Sequence, residues 1–253
     1  MKYKRIKNFV YKRDIKLYKD EFNWDFKFMK APYRKIKTIF NIELSSLILY
    51  FVYKTNLKPN HITLLGVLWI LIGCFMVSSE NILMIFLGLI TFFTKRVLDI
   101  VDGSLAHLKN QFSKTGHELD LWAGEINKIL LLTGFCIYIF NVTNNNIYLL
   151  ILIVIILLNY MDPRKHLSSF KFLNITYKKK LKTHSQNIKK ENNNLLNFLK
   201  FLNYDGRSNY TDLFIILIII DINYNIINYL TLFPYLWLIL NILVLFRSFK
   251  KVF

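Results

Sequence analysis

Three aspartates lie at the edges of two long apolar stretches of the sequence. Asp99 and Asp102 close the first stretch, and Asp120 opens the second. Asp99 and Asp102 are three residues apart, a spacing that puts both on one face of a helix. Carboxylates at a membrane edge must be paired, solvated or bound to cations, and Mg²⁺ prefers carboxylate oxygens. We therefore predict a metal-dependent phosphoryl-transfer site that faces the cytoplasmic leaflet.

Small residues accompany these acids. Gly103 and Ala106 follow Asp102 with almost no side-chain bulk, which lets a bulky phosphate ligand approach the backbone. An alternative is that each acid only terminates a helix and pairs with a nearby base. The candidate ion-pair partners are Lys95, Arg96, Lys109 and Lys114. The joint spacing of the three acids favours the metal site.

The composition predicts an all-α integral membrane protein. Hydrophobic residues make up 54% of the 253 positions, yet 34 Lys and Arg accompany 16 Asp and Glu. Apolar stretches long enough to cross about 30 Å of hydrocarbon as helices predict a bundle of six transmembrane helices. They cover residues 62–79, 82–102, 118–140, 147–162, 211–229 and 232–247.

The positive charge is distributed unevenly along the chain. Residues 1–40 hold thirteen Lys and Arg against four acids, and residues 161–210 hold eleven against three. With six spans, all basic segments and both termini fall on one side, which the positive-inside rule makes the cytoplasm. Because the bases flank apolar spans, anionic membrane lipids are a simpler partner for them than nucleic acid.

The chain divides into a basic juxtamembrane segment and a membrane domain. Residues 1–53 form the first part, in which 1–39 either rest on the headgroups or are a disordered tail, and 40–53 form an interfacial helix. Residues 54–253 form the six-helix domain, with a cytoplasmic insertion at 163–210 that carries a surface helix. Gly66 and Gly73 lie on one helix face, where we interpret them as packing residues. Cys74 and Cys136 both fall inside predicted spans, so no disulfide framework is indicated.

The stretch DIVDGSLAHLKNQFSKTGHELDLWAGE resembles the signature of the CDP-alcohol phosphatidyltransferase family, D-x2-D-G-x2-A-R-x8-G-x3-D-x3-D. Six of its eight fixed positions match, and the eight-residue spacer is intact. The matching residues are Asp99, Asp102, Gly103, Ala106, Gly116 and Asp120. The six spans, the KPNHITLLG start of the first span and the preceding interfacial helix are also similar to that family.

This resemblance implies transfer of a substituted phosphate from a CDP-linked lipid, usually CDP-diacylglycerol, to an alcohol, with release of CMP. It implies that Asp99, Asp102 and Asp120 ligate two divalent ions, Mg²⁺ or Mn²⁺, and that Gly103 and Ala106 border the nucleotide. It also implies a homodimer. The sequence does not identify the alcohol.

Two positions depart from the family signature. His107 replaces the arginine and is a weaker partner for phosphate. Gly124 replaces the fourth aspartate, implied to be the base that deprotonates the acceptor. Glu125 and His117 are candidate replacements, although Glu125 is rotated by about 100° around the helix and has an alternative as an ion-pair partner of Lys128. For both histidines the alternative is a polar loop residue that touches headgroups or phosphate.

Two further polar residues lie just before or inside the fifth span. Arg207, just before that span, is a candidate for binding an acceptor phosphate, or an ordinary basic residue at a cytoplasmic helix end. Asp221, inside the span, is most simply an interhelical hydrogen-bonding group. Two alternative functions remain open: a family homologue that binds CDP-lipid or metal without catalysis, and a transporter whose acids line an ion path.

Overall fold

A computed structural model describes residues 2–22, 32–161, 206–224 and 227–252, and these residues contain helices and no strands. The chain divides into two compact units, Met1–Gly134 and Phe135–Phe253. The helices are α1 (Tyr3–Phe22), α2 (Pro32–Val52), α3 (Pro59–Val77), α4 (Ile82–Leu108), α5 (Lys114–Thr143), α6 (Ile147–Tyr160), α7 (Gly206–Tyr224), α8 (Ile227–Leu230) and α9 (Leu232–Val252). The all-α prediction is confirmed for the described residues.

In the first unit, α3 and α4 form a close antiparallel pair. Pro59 starts α3, where its missing N–H costs no hydrogen bond. The side chain of Asn81 caps α4 by accepting a hydrogen bond from the Leu83 N–H at 2.9 Å. A Cβ on Gly73 would collide with Thr91, and one on Gly88 would lie 2.8 Å from the Gly73 carbonyl oxygen. The packing role predicted for Gly73 is thus confirmed, whereas Gly66 makes only ordinary contacts.

The basic N-terminal segment contributes a helix to this unit. Helix α1 buries its apolar face against α2 and α4, so the disordered-tail alternative does not hold for residues 3–22. Tyr3 and Lys7 both bond the Glu43 carboxylate of α2, and Arg96 of α4 pairs with Asp14 of α1 at 3.1 Å. The shared core comprises Ile6, Val10, Ile42, Leu49, Ile62, Ile100, Val101 and Leu105. The core therefore joins α1 to α2, α3 and α4, and α4 carries the first half of the signature.

The second unit contains a buried polar contact. The Tyr138 hydroxyl donates a 2.8 Å hydrogen bond to Asp221 Oδ2, and both side chains are buried. The interhelical hydrogen bond predicted for Asp221 is confirmed. Phe135 stacks on Phe214, and α6 packs against α9.

Two described helices, Pro59–Val77 and Thr115–Thr143, are long and apolar enough to cross a membrane, and shorter apolar helices cover Ile147–Tyr160, Phe214–Tyr224 and Leu232–Leu243. Exposed apolar side chains cover the outer surfaces of α3 and α4, as lipid-facing helices require. They include Leu64, Leu68, Ile72, Phe75, Leu83, Phe86 and Ile90. These apolar helices suggest a membrane protein, while the six-span count and the interfacial position of residues 40–53 stay predictions.

Several boundaries differ from the predicted ones. Helix α2 begins at Pro32, eight residues before the predicted interfacial helix. Helix α7 begins at Gly206 and ends at Tyr224, so the fifth apolar stretch starts inside a helix that already contains the end of the predicted insertion. The rest of that insertion, with its predicted surface helix, lies outside the described residues.

Candidate active site

The signature residues lie on the last turns of α4 and the first turns of α5. A short turn joins these helices, and Asn110 in it has a φ of 51°, a left-handed conformation that asparagine tolerates. Ser113 then caps α5, since its hydroxyl accepts a hydrogen bond from the Gly116 N–H at 2.9 Å. A Cβ on Gly116 would lie 2.9 Å from Asn60 Oδ1, so the start of α5 approaches the start of α3 closely. The turn thereby returns Asp120 toward the α4 acids.

The three aspartates differ in their surroundings. Asp102 is 8% exposed, whereas Asp99 and Asp120 are exposed. The negative charges of Asp99 and Asp120 both act on Asp102, so both lie within electrostatic range of the buried acid. Among the described residues, however, no group of three or more His, Cys, Asp or Glu side chains is close enough to hold a metal ion.

Thr63, a residue of α3, hydrogen-bonds the buried aspartate of α4. Its hydroxyl donates a 2.7 Å hydrogen bond to Asp102 Oδ2, and it also lies 3.3 Å from the Pro59 carbonyl oxygen. The sequence analysis missed this contact because a threonine in the first turns of an apolar helix commonly hydrogen-bonds the backbone of its own helix. The only available signal was its position in the KPNHITLLG segment of the family resemblance.

Arg13 of α1 also reaches the signature, and the sequence analysis missed it too. Its Nη1 donates to Ser104 Oγ at 2.8 Å and to the Ile100 carbonyl oxygen at 3.3 Å. A Cβ on Gly103 would collide with the Arg13 guanidinium, so this glycine makes room for arginine within the free protein. Thirteen basic residues precede position 41, and their sequence does not distinguish the one that packs inward.

The charge of Arg13 extends over the site. Burial lowers the pKa of Arg13, and the negative charges of Asp102, Asp14, Asp99 and Asp120 oppose this effect. All three signature acids therefore interact electrostatically with the positive charge of Arg13.

Two of the residues proposed as simple ion-pair partners of these acids, Lys109 and Arg96, have other contacts. Lys109 Nζ donates to the carbonyl oxygens of Thr55 at 2.7 Å and Leu57 at 3.0 Å. Arg96 pairs with Asp14. Lys109 thereby ties the end of α4 to the segment before α3, which accounts for its presence without any signature acid.

His107 lies at the position of the signature arginine. It is exposed, and its ring stands edge-on to Phe112 with 4.7 Å between the centroids. Desolvation and the positive charge of Arg13 both lower the pKa of His107, which lies beyond the predicted second span. Both effects favour the neutral form of the imidazole.

The candidate bases differ in their contacts. Glu125 accepts a 2.6 Å hydrogen bond from Lys128 Nζ, so the ion pair foreseen as its alternative role is present. His117 is exposed in the first turns of α5. Gly124 and Ala106 are both half-buried. Arg207 is in the first turn of α7, but its side chain lies outside what the structure describes.

The signature acids fit a divalent cation by chemistry. They supply only carboxylate oxygens, which hard divalent ions prefer, and their mutual repulsion favours a bound cation. Asp102 is buried and accepts a hydrogen bond from Thr63, Asp99 is one turn earlier on the same helix, and the charge of Asp120 acts on Asp102 from α5.

Comparison with known proteins gives one family match. A family model described as CDP-alcohol phosphatidyltransferase matches residues 56–187, just over half of the chain. The matched region contains Thr63 and every signature position from Asp99 to Gly124. No curated protein and no solved structure matches the chain.

Proposed function

The chain belongs to the CDP-alcohol phosphatidyltransferase family, and on that premise we propose that it transfers a phosphatidyl group from a CDP-linked lipid, such as CDP-diacylglycerol, to an alcohol. The observation that carries this proposal is the buried Asp102, which Thr63 orients beside Gly103 in the field of two further signature acids. The family uses divalent metal ions, and Asp99, Asp102 and Asp120 are the residues that would hold Mg²⁺ or Mn²⁺ here. Bound ions would neutralise the donor pyrophosphate.

The remaining steps belong to the chain's own residues. Gly103 and Ala106 are the small residues that would border the nucleotide, and the Arg13 guanidinium packs against Gly103. The acceptor hydroxyl oxygen forms a new bond to the lipid phosphorus while the bond from that phosphorus to the CMP oxygen breaks. CMP leaves with that bonding electron pair, and the hydroxyl proton passes to a base.

Glu125 and His117 remain the proposed bases. Glu125 accepts this proton only after it exchanges or shares its bond with Lys128. A base typically contributes 10² to 10⁴ in rate. We therefore expect Glu125→Gln or His117→Ala to lower turnover by about 10² or more, and unchanged turnover in both variants would remove both candidates.

The proposed location follows from the apolar helices and the distribution of charge. We place the protein in the membrane with several spans, both termini in the cytoplasm and the site open to the cytoplasmic leaflet, beside anionic lipids. Arg207 and the basic insertion favour an anionic acceptor. A homodimer is proposed on the family resemblance alone.

The experiment that tests this function uses the full chain in phosphatidylcholine nanodiscs. Labelled CDP-diacylglycerol, Mg²⁺ or Mn²⁺ and a panel of alcohols are supplied, and CMP and the lipid product are measured together. We expect stoichiometric CMP and product with at least one alcohol. Absence of both across the panel would contradict transfer.

A second candidate is a relative that binds CDP-lipid without turnover, and Gly124 is the residue that favours it. Gly124→Asp restores the signature carboxylate, with Gly124→Asn as a control of similar size. If only the base is missing, Gly124→Asp raises turnover by about 10² or more and Gly124→Asn does not. Donor binding in the wild type, without turnover in either protein, would favour the non-catalytic alternative.

A further inference from the structure

Arg13 differs from the other basic residues of the N-terminal segment in where its charge lies. Its neighbour Lys12 is exposed, whereas Arg13 is partly buried and donates hydrogen bonds to Ile100 and Ser104, which are far away in the sequence. The apolar residues Ile6 and Val10 anchor the same helix in the core. A well-packed helix thus places one guanidinium against the signature.

The hydrogen bonds of Arg13 use only part of the guanidinium. Both described bonds come from Nη1. Nε is buried and has no hydrogen-bond partner among the described residues, and Nη2 packs against Gly103, so close that an added Cβ would collide with it. Leaving a buried donor of a charged group without a partner is costly, so a ligand oxygen that reached this edge would gain from the site.

Oxyanions are the ligands that this edge suits best. An arginine presents two parallel N–H groups that match two oxygens of one phosphate. The nearby carboxylates repel a bare phosphate, so a fixed positive charge among them lowers the cost of binding an anion. His107 stands at the position of the signature arginine, but an imidazole is a weaker phosphate partner, and desolvation and the charge of Arg13 both lower its pKa.

We propose that Arg13, reaching from α1, is the positively charged group that binds the phosphate of the CDP-linked donor, in place of the signature arginine whose position His107 occupies. This inference rests on the proposed function. It makes the N-terminal helix part of the substrate site, and it makes Arg13 a specificity-determining residue for nucleotide-linked lipids. It also gives Gly103 a second role, since any side chain there would displace the guanidinium.

A purely structural role is the alternative that the experiment must exclude. In that case Arg13 only ties α1 to α4 through Ser104 and Ile100. Ser104→Ala removes a bond of this tie and leaves the phosphate-binding edge unchanged. Lys12→Gln removes an equal charge from the exposed side of α1.

The test measures equilibrium binding of CDP-diacylglycerol to the full chain in nanodiscs, with Mg²⁺ and no acceptor alcohol. Arg13→Gln is expected to weaken binding roughly 10- to 100-fold, the range for lost hydrogen bonds to a charged group. Arg13→Lys keeps the charge but lacks the planar guanidinium. Its affinity for the donor is expected to lie between those of wild type and Arg13→Gln. Lys12→Gln and Ser104→Ala are expected to stay within about threefold of wild type, as surface charge and a neutral hydrogen bond predict.

A second-site change separates binding from folding. His107→Arg added to Arg13→Gln is expected to restore most of the lost affinity, because it returns a fixed charge beside the same acids. Thermal unfolding of each variant, followed in parallel, identifies any variant that does not fold. If Arg13→Gln does not fold, Arg13→Lys carries the comparison, and its wild-type affinity would overturn the proposal.

Three results would overturn the inference in distinguishable ways. Wild-type affinity in Arg13→Gln, with donor binding and turnover intact, overturns the role of Arg13 and leaves the proposed function standing. Equal losses in Arg13→Gln and Ser104→Ala, without recovery by His107→Arg, establish the structural tie instead. Absence of donor binding and of CMP release in the wild type overturns the proposed function and this inference together.

Discussion

Asp102 in the first unit and Asp221 in the second are both buried aspartates in apolar helices, and each accepts a hydrogen bond from a hydroxyl. Thr63 donates to Asp102 at 2.7 Å, and Tyr138 donates to Asp221 at 2.8 Å. Their wider surroundings differ. The charges of two other acids and of an arginine act on Asp102. The carboxylate of Asp221 has Tyr138 as its hydrogen-bond donor, and its buried Oδ1 has no partner among the described residues.

This difference separates a site from a structural contact. A buried carboxylate is costly in either unit, so burial alone does not indicate function. Like charges gathered around Asp102 raise that cost further, and a protein gains nothing in stability from such an arrangement. Asp102 therefore has the character of a site that awaits a cation, and Asp221 that of a group that joins two helices.

The largest expected effect is on turnover. Asp102→Asn removes a proposed metal ligand and is expected to lower CMP release by about 10² to 10³, a typical loss for one electrostatic group at a reacting phosphate. Asp221→Asn keeps an acceptor for Tyr138 and is expected to stay within about twofold. The two variants are measured side by side in nanodiscs, and equal losses would remove the distinction between the aspartates.

The hydroxyl donors extend the comparison to a smaller effect. Thr63→Val removes the group that orients Asp102 and is expected to lower turnover about tenfold, as for a lost hydrogen bond to a charged group. Tyr138→Phe leaves Asp221 without its donor and is expected to cost about 1–3 kcal/mol of stability with little change in turnover per folded molecule. Turnover and denaturant unfolding are measured on both, and a stability loss confined to Thr63→Val would contradict the assignment.

The smallest expected effect is a gain in stability. With divalent ions removed by chelation, Asp102→Asn relieves repulsion from Asp99 and Asp120 and is expected to stabilise the protein by about 1 kcal/mol. Asp221→Asn removes no comparable repulsion. Unfolding of both variants in chelator tests this, and a less stable Asp102→Asn would show that repulsion does not dominate at the site.

The grouping of the signature acids was predictable from sequence because it depends on spacing within one segment. The positions from Asp99 to Asp120 fix which acids share a helix and which face them across a turn. The apolar stretches likewise predicted helices at α3 to α6, since a long apolar stretch has few other folds in lipid. The interhelical role of Asp221 followed from the cost of an unpaired acid there.

The groups that support the site were not predictable in the same way. Arg13 is one of many bases in its segment, and only the packing of α1 on α4 selects it. Thr63 contacts Asp102 from 39 residues away, a pairing that helical periodicity does not encode. Tertiary contacts between helices decide both, whereas the sequence pattern specifies only each helix by itself.

Mn²⁺ binding tests the central claim most directly, because it reports the signature acids without any substrate or turnover. Titration of the full chain in nanodiscs, followed by electron paramagnetic resonance, compares wild type, Asp102→Asn and Asp221→Asn. We predict that wild type and Asp221→Asn bind Mn²⁺ alike and that Asp102→Asn binds it at least about tenfold more weakly, as loss of a carboxylate ligand requires. Equal Mn²⁺ affinity in wild type and Asp102→Asn would contradict the account.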